Sequence, residues 1–261
     1  MTRRFPLLMG ATLALAAALS CAKAPTSLPP GTAEADKFLY DRGQAAVAEE
    51  HWVDAREYFR NLVDNYPQSS YRPDAKLALG DTYLAQKGTE NLLLAANEYR
   101  EFQTFYPTHP RADYAQLQLA RTYAAQMLAP ERDQTATRDA IREVDIFLER
   151  YPNSKLMPEA RELERNARDR LSEAGYQVGF FYYRASHYAG AIDRFKEVLA
   201  KDPQFSHRDA VTIRRVVATE PRRTRGAPYY ERLLKEFEQS EYLEDAQKRV
   251  EELKSGNPAG K

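Results

Sequence analysis

The side chains able to do covalent or acid–base chemistry are few and scattered. Cys21 is the only cysteine of 261 residues, and the four histidines, His51, His109, His187 and His207, stand far apart. A single thiol excludes an intramolecular disulfide and a multi-cysteine zinc site. No G-x-S-x-G, P-loop or H-E-x-x-H pattern occurs, so hydrolysis at a nucleophile elbow, phosphate cradling and zinc-hydroxide chemistry all lack their residues. No catalytic residue, metal or cofactor is therefore expected. Arg222-Arg223-Thr224-Arg225 is the densest basic run, but no aromatic residue interleaves it, and Lys+Arg 38 balances Asp+Glu 38. It reads as a solvated turn, and nucleic acid is not an expected partner. The acidic runs read as solvent faces of helices, and His109 as a structural residue of a turn.

Cys21 has one evident use. Arg3 and Arg4 precede an uncharged stretch from Phe5 to Leu19, too short to cross a hydrocarbon core of about 30 Å comfortably as a helix. A basic start, an apolar middle and small residues before the cut make a secretory signal. Cys21 follows Ala18-Leu19-Ser20, which resembles the lipobox of bacterial lipoproteins, although that family prefers Leu where Ala18 stands. The resemblance implies that Cys21 is acylated and becomes the mature N-terminus, each buried acyl CH₂ contributing ~0.8 kcal/mol to membrane attachment. Ala22 and Lys23, with no Asp after the cysteine, imply sorting to the outer membrane. The following residues, with Pro25, Pro29, Pro30 and Gly31, read as an extended tether. Residues 1–20 are thus expected to be the signal peptide and 21–36 the lipidated cysteine and its tether.

The elements behind the tether repeat. Tyr66-Pro67-Gln68-Ser69, Tyr106-Pro107-Thr108-His109, Tyr151-Pro152-Asn153-Ser154, Asp202-Pro203-Gln204 and a worn Phe237-Glu238-Gln239-Ser240 line up, each followed by an alanine: Ala75, Ala115, Ala160, Ala210 and Ala246. Pro ends one helix, and the serine beyond it can accept a hydrogen bond from an orphan N–H at the next helix start. Pro73 and Pro158 suit a first helical turn. Between stops, Gly43, Ala55, Phe59 and Pro67 fall at spacings of 12, 4 and 8, which Gly179, Ala191, Phe195 and Pro203 repeat without a gap. These are tetratricopeptide-repeat positions. The second unit carries extra residues near Gln86 to Asn91, the third an insertion around Pro130 to Thr137, and the fourth a helix lengthened from about Pro158 to Arg184. The fifth is poorly formed, with Pro221 interrupting it. The expectation is an all-α solenoid of about five helix pairs, divided as 37–110, 111–171 and 172–254, with a disordered tail at 255–261.

Three stretches carry a family resemblance. Pro107-Thr108-His109-Pro110 with Asp113-Tyr114-Ala115, Arg132-Asp133-Gln134 leading to Ala140 and Tyr151-Pro152-Asn153-Ser154, and Tyr176-Gln177-Val178 through Tyr182-Tyr183-Arg184 to Ala191-Ile192-Asp193-Arg194-Phe195 resemble the second-to-fourth repeats of the BamD family of outer-membrane assembly lipoproteins. Gly175 and Gly179 depart from its usual acidic residue and Ala. The resemblance implies a periplasmic scaffold without catalysis. It would dock on the periplasmic domain of the barrel insertase BamA, alongside other Bam lipoproteins, and receive unfolded outer-membrane proteins. A repeat lipoprotein that assists secretin or pilus assembly is the alternative.

In such a solenoid the first helix of each pair lines the concave side. The register puts Lys37, Tyr40 and Gln44 there in the first unit, Asp81 in the second, Tyr114 and Arg121 in the third, and Tyr176, Phe180, Tyr183 and Arg184 in the fourth. Tyrosines offer apolar area and a hydroxyl to an extended client; the alternative for each is packing between repeats. By its match to the family's fourth repeat, Arg194 is expected to contact the insertase through a charge-assisted hydrogen bond.

Overall fold

A computed structural model describes residues 34–219, 230–231, 234–235, 240 and 242–254, leaving Cys21, the expected tether up to residue 33, Pro221, the arginine run at 222–225 and the tail outside the described residues; Ala35 and Asp36, expected in the tether, already belong to the first helix. All regular structure among these residues is helical. The helices are α1 (Ala35–Ala48), α2 (Trp52–Asn65), α3 (Arg72–Gln86), α4 (Thr89–Phe105), α5 (Ala112–Ala124), α6 (Thr135–Arg150), α7 (Met157–Arg184), α8 (Tyr188–Lys201), α9 (Arg208–Thr219) and α10 (Leu243–Lys254). From α1 to α9 each helix packs chiefly on the one before and the one after it. This is the antiparallel tetratricopeptide solenoid that the spacings require, with its core distributed between successive helices.

The stops work as the sequence suggests and do one thing more. Ser69 Oγ accepts from the Tyr71 N–H at 3.1 Å, Ser154 Oγ from Leu156 at 3.1 Å and Ser240 Oγ from Tyr242 at 3.2 Å. Each hydroxyl also donates backwards, to Asp36 at 2.6 Å, Asp113 at 2.6 Å and Asp209 at 2.7 Å, in the first turn of the helix that opened the same pair. The serine therefore starts the next helix and clasps the finished pair. In the second pair His109 takes over the accepting role, its Nδ1 receiving the Arg111 N–H at 3.2 Å. Having no hydroxyl, it leaves Asp74 to the Arg111 guanidinium at 2.9 Å. In the fourth pair Ser206 clasps Asp169 at 2.6 Å, a residue midway along the 28-residue α7. The repeat thus begins inside that helix, as the surplus spacing before Gly179 demands.

Inside each pair a glycine faces an aromatic ring. A Cβ on Gly43 would stand 2.4 Å from Phe59, one on Gly80 2.6 Å from Tyr99, and one on Gly179 2.6 Å from Phe195. The third pair solves the same contact with other sizes: Ala120 and Val144, both fully buried, hold the equivalent places. Between pairs, Arg56 and Arg60 lie 4.7 and 5.9 Å over the Tyr83 ring, and Arg100 lies 5.5 Å over Tyr123. At the next junction an ion pair replaces the stack, Arg168 reaching Asp145 at 2.8 and 3.0 Å.

Candidate functional site

Lys37 and Gln44 project from α1 into solvent, Lys37 bonded to Asp41 at 2.7 Å. Tyr40 stacks on Tyr71 of the next repeat with ring centroids 5.2 Å apart, and lies 6.1 Å from Phe59. It is partly exposed and partly a packing residue.

The second and third units meet around Asp81, which is partly buried and not a freely projecting contact. Its Oδ1 accepts from the Tyr99 hydroxyl at 2.7 Å, the Tyr114 hydroxyl at 2.9 Å and Gln118 Nε2 at 3.4 Å. Gln118 also donates to the Tyr114 hydroxyl at 2.9 Å and accepts from Arg121 at 3.0 Å, while Arg121 pairs with Glu159 at the start of α7. Arg111 caps the Tyr114 ring at 4.6 Å. Burial pushes the Asp81 carboxyl above its ordinary value, outweighing the three donors and the Arg111 field. Burial, and then the Asp81 charge, push the Tyr114 phenol up to about 12.

In the fourth unit the three aromatics come together as a ladder. Tyr176 stacks on Phe180 at 6.0 Å and Phe180 on Tyr183 at 6.3 Å, with Tyr176 also 5.8 Å from the core Phe195. Arg214 of α9 lies 5.1 Å over Phe180 and 6.0 Å over Tyr183. The ladder is thus a seam between the fourth and fifth units. Arg184, at the last turn of α7, is exposed.

Arg194, on α8, meets Phe180 and Arg184 as lining of one groove. It belongs to a second feature, absent from any motif. Because α7 runs on past the start of α6, its second half leaves an open groove of about 1490 Å³. The insertion at 130–134 and the first turns of α6 bound it at one end, and α7 and α8 form its walls. Val178 and Phe181 expose 44% and 69% of their surface, more apolar area than a repeat interior would leave bare. Arg194, Arg184, Lys201 and Arg132 stand around it. Glu197 is engaged from two sides, by Lys201 at 2.7 Å and Arg194 at 3.0 Å, and those bonds hold its carboxyl below the usual range. Asp202 is engaged by Arg165 and, at 2.7 Å, by Ser172. With Arg138 and Arg168 the lining carries six cationic residues against the four carboxylates Glu131, Asp133, Glu197 and Asp202, on a chain whose formal net charge is zero.

What this geometry can do is bind. Among the described residues no group of three or more His, Cys, Asp or Glu could hold a metal ion, and no helix is long and apolar enough to cross a membrane.

The family model described as "YfiO: Outer membrane lipoprotein" matches residues 32–218. The outer membrane protein assembly factor BamD of Caulobacter vibrioides is 28% identical over 183 residues, 70% of this chain and 59% of that protein. BamD of Vibrio cholerae is 26% identical over 196 residues, covering 71% and 79% respectively. The chain thus spans less than two thirds of the first of these relatives. Among solved structures, the MamA protein is matched over 87% of this chain and 98% of its own, with TM-score 0.38 and 14% identity. A thermophilic TPR protein from Thermus thermophilus is matched over 84% and 99%, with TM-score 0.37 and 15% identity.

Proposed function

Since the chain belongs to the YfiO family of outer membrane lipoproteins, we propose that it is a scaffold for assembling β-barrel proteins into the outer membrane. Cys21 carries the lipid anchor, and the tether sets the solenoid on the periplasmic side. The groove beside α7 docks the periplasmic domain of a BamA-type insertase, with Arg194 bonding a carboxylate there. The hollow receives unfolded clients through Tyr40, Tyr114, the Tyr176–Phe180–Tyr183 ladder and the polar groups between them. Other Bam lipoproteins belong to the same complex. The protein itself transforms nothing; it holds partners at a fixed spacing.

The observation that carries this role is the groove: two bared apolar side chains, Val178 and Phe181, under a guanidinium rim. An exposed phenylalanine beside an arginine is the combination from which interface anchors are built. Arg194 is itself exposed and pairs with Glu197 one turn on. A partner carboxylate there gains a charge-assisted hydrogen bond without disturbing the core.

The test is affinity purification of the full chain from detergent-solubilised membranes. Wild type should retain the insertase, and Phe181→Ser with Arg194→Ala should lose it while the thermal melt is unchanged. Unchanged recovery by the double variant would remove the groove from the proposal. Recovery of a secretin without the insertase would replace barrel assembly by secretin assembly.

A further inference from the structure

We propose that the hollow between the second and third units holds a cationic side chain of an extended partner segment, with Asp81 as its counter-ion. This rests on the client-receiving role of the concave face and names the chemistry of one subsite within it.

Asp81 is held differently from the deeply buried charges. The charged side chains most deeply buried among the described residues are Lys76, Glu143 and Asp202. Lys76 lies between Glu98, at 2.8 Å, and Glu101; Glu143 receives Arg142 at 3.0 Å; Asp202 is gripped by Arg165. Burial of a charge is tolerated where an opposite charge and hydrogen bonds offset it. Asp81 has the hydrogen bonds and lacks the charge. Two guanidinium groups flank it, but each serves another carboxylate: Arg111 meets Asp74 at 2.9 Å, and Arg121 meets Glu159. Three carboxylates face two cations here, and the odd one is Asp81.

Its bonding is also lopsided. Tyr99, Tyr114 and Gln118 all donate to Oδ1, and Oδ2 receives none of them. A carboxylate has about four lone-pair sites over its two oxygens, so the second oxygen is left to an incoming donor. The three donors also hold the carboxylate in one rotamer, so little order remains to be imposed when a ligand arrives. A neutral N–H would satisfy the lone pair and leave the charge uncompensated; an ammonium or guanidinium does both. The client-receiving role makes that cation part of a polypeptide segment rather than a free amine or a metal ion. The occupant is therefore a lysine or arginine within an extended client segment.

The experiment uses the full chain in detergent and two labelled peptides, each alternating tyrosine and glycine, one with a central lysine and the other with acetyl-lysine. Fluorescence anisotropy should show the lysine peptide bound at least about tenfold more tightly, as expected of one partly desolvated ion pair, with the preference falling as salt is raised. Asp81→Asn keeps an oxygen that accepts from both phenols, so it preserves the latch and should abolish the preference. Tyr114→Phe removes one donor and keeps the charge, so it should retain the preference. Equal binding of the two peptides by wild type, or a preference that survives Asp81→Asn, overturns the cation site while leaving the client-receiving hollow in place. Failure of both peptides to bind overturns the hollow itself and the cation site with it.

Discussion

Gly179→Ala probes the contact that spaces α7 and α8 and, through it, the wall of the groove. The added Cβ would stand 2.6 Å from Phe195 Cε1, 2.7 Å from Cδ1 and 3.3 Å from Arg194 Cβ. Carbon atoms at rest stay about 3.5–4.0 Å apart, so α8 must retreat by about 1 Å or Phe195 must leave its rotamer. Overpacking of this size costs about 1–3 kcal/mol, against about 0.8–1.0 kcal/mol gained when Ala replaces Gly within a helix. The net loss expected is about 0–2 kcal/mol. The protein already contains the remedy, since Ala120 faces Val144 without conflict. Phe195→Val alone should cost about 2–3 kcal/mol as a cavity. The double variant should then lose at least about 1 kcal/mol less than the two singles together. Urea melts of the four proteins measure this coupling. Because the same Cβ presses on Arg194, Gly179→Ala should also weaken insertase recovery, and Phe195→Val should restore it. Losses that simply add, to within about 0.5 kcal/mol, would defeat both the packing account and its extension to the groove.

The two recessed aspartates should respond to acid in opposite senses. Burial pulls the Asp202 carboxyl up, but its bonds from Arg165 and Ser172 outweigh this and hold it below its ordinary value. Its stabilisation is present above the unfolded value near about 3.9 and is lost as pH falls through the lower folded value. Asp202→Asn should therefore cost about 1–3 kcal/mol at neutral pH and progressively less in thermal melts below about pH 4. Asp81 is shifted upwards by burial, so its favourable contribution belongs to acid and is lost as pH rises; Asp81→Asn should gain on wild type between acid and neutral pH. Ser154→Ala removes both the bond that starts α7 and the clasp to Asp113, and should cost about 0.5–2 kcal/mol by denaturant titration. Cys21→Ser should move the protein from the membrane to the soluble fraction on cell fractionation, and persistent membrane association would argue for a different attachment.

The helix pairs were legible because the signals that set them are local. A proline, the serine two residues on and a glycine twelve residues before an alanine act within one pair, and nothing distant alters them. The overlong α7 was legible for the same reason: its surplus is a whole number of turns and keeps the apolar stripe in phase. The concave surface was only partly legible. Register alone put Asp81 in the hollow as an open contact, whereas Tyr114 and Gln118 reach it from the next repeat, and the twist that brings them there is set by packing. The same register puts Phe180 and Tyr183 on the concave side, and it gives no sign that Arg214 of the fifth unit lies over their rings. His109 reads as a turn residue, but its function as a substitute for serine shows only beside Ser69 and Ser154. The groove has no sequence signal, because it is made where α6 does not reach.

The chain of bonds from Asp81 through Tyr114, Gln118 and Arg121 ends on Glu159, two residues into α7, and the far end of α7 forms the groove wall. One continuous helix therefore joins the hollow to the groove. A helix of 28 residues rising about 1.5 Å per residue sets its ends some forty ångströms apart, clasped partway along by Asp169 to Ser206 and by Arg165 to Asp202. Coupling between distant sites requires an element with two arrangements. The clasps, the glycine–aromatic contacts and the matched ion pairs instead favour one arrangement throughout α7 and α8. The physical consequence is a fixed spacing between the two ends of α7, which a scaffold needs and which a switch would give up.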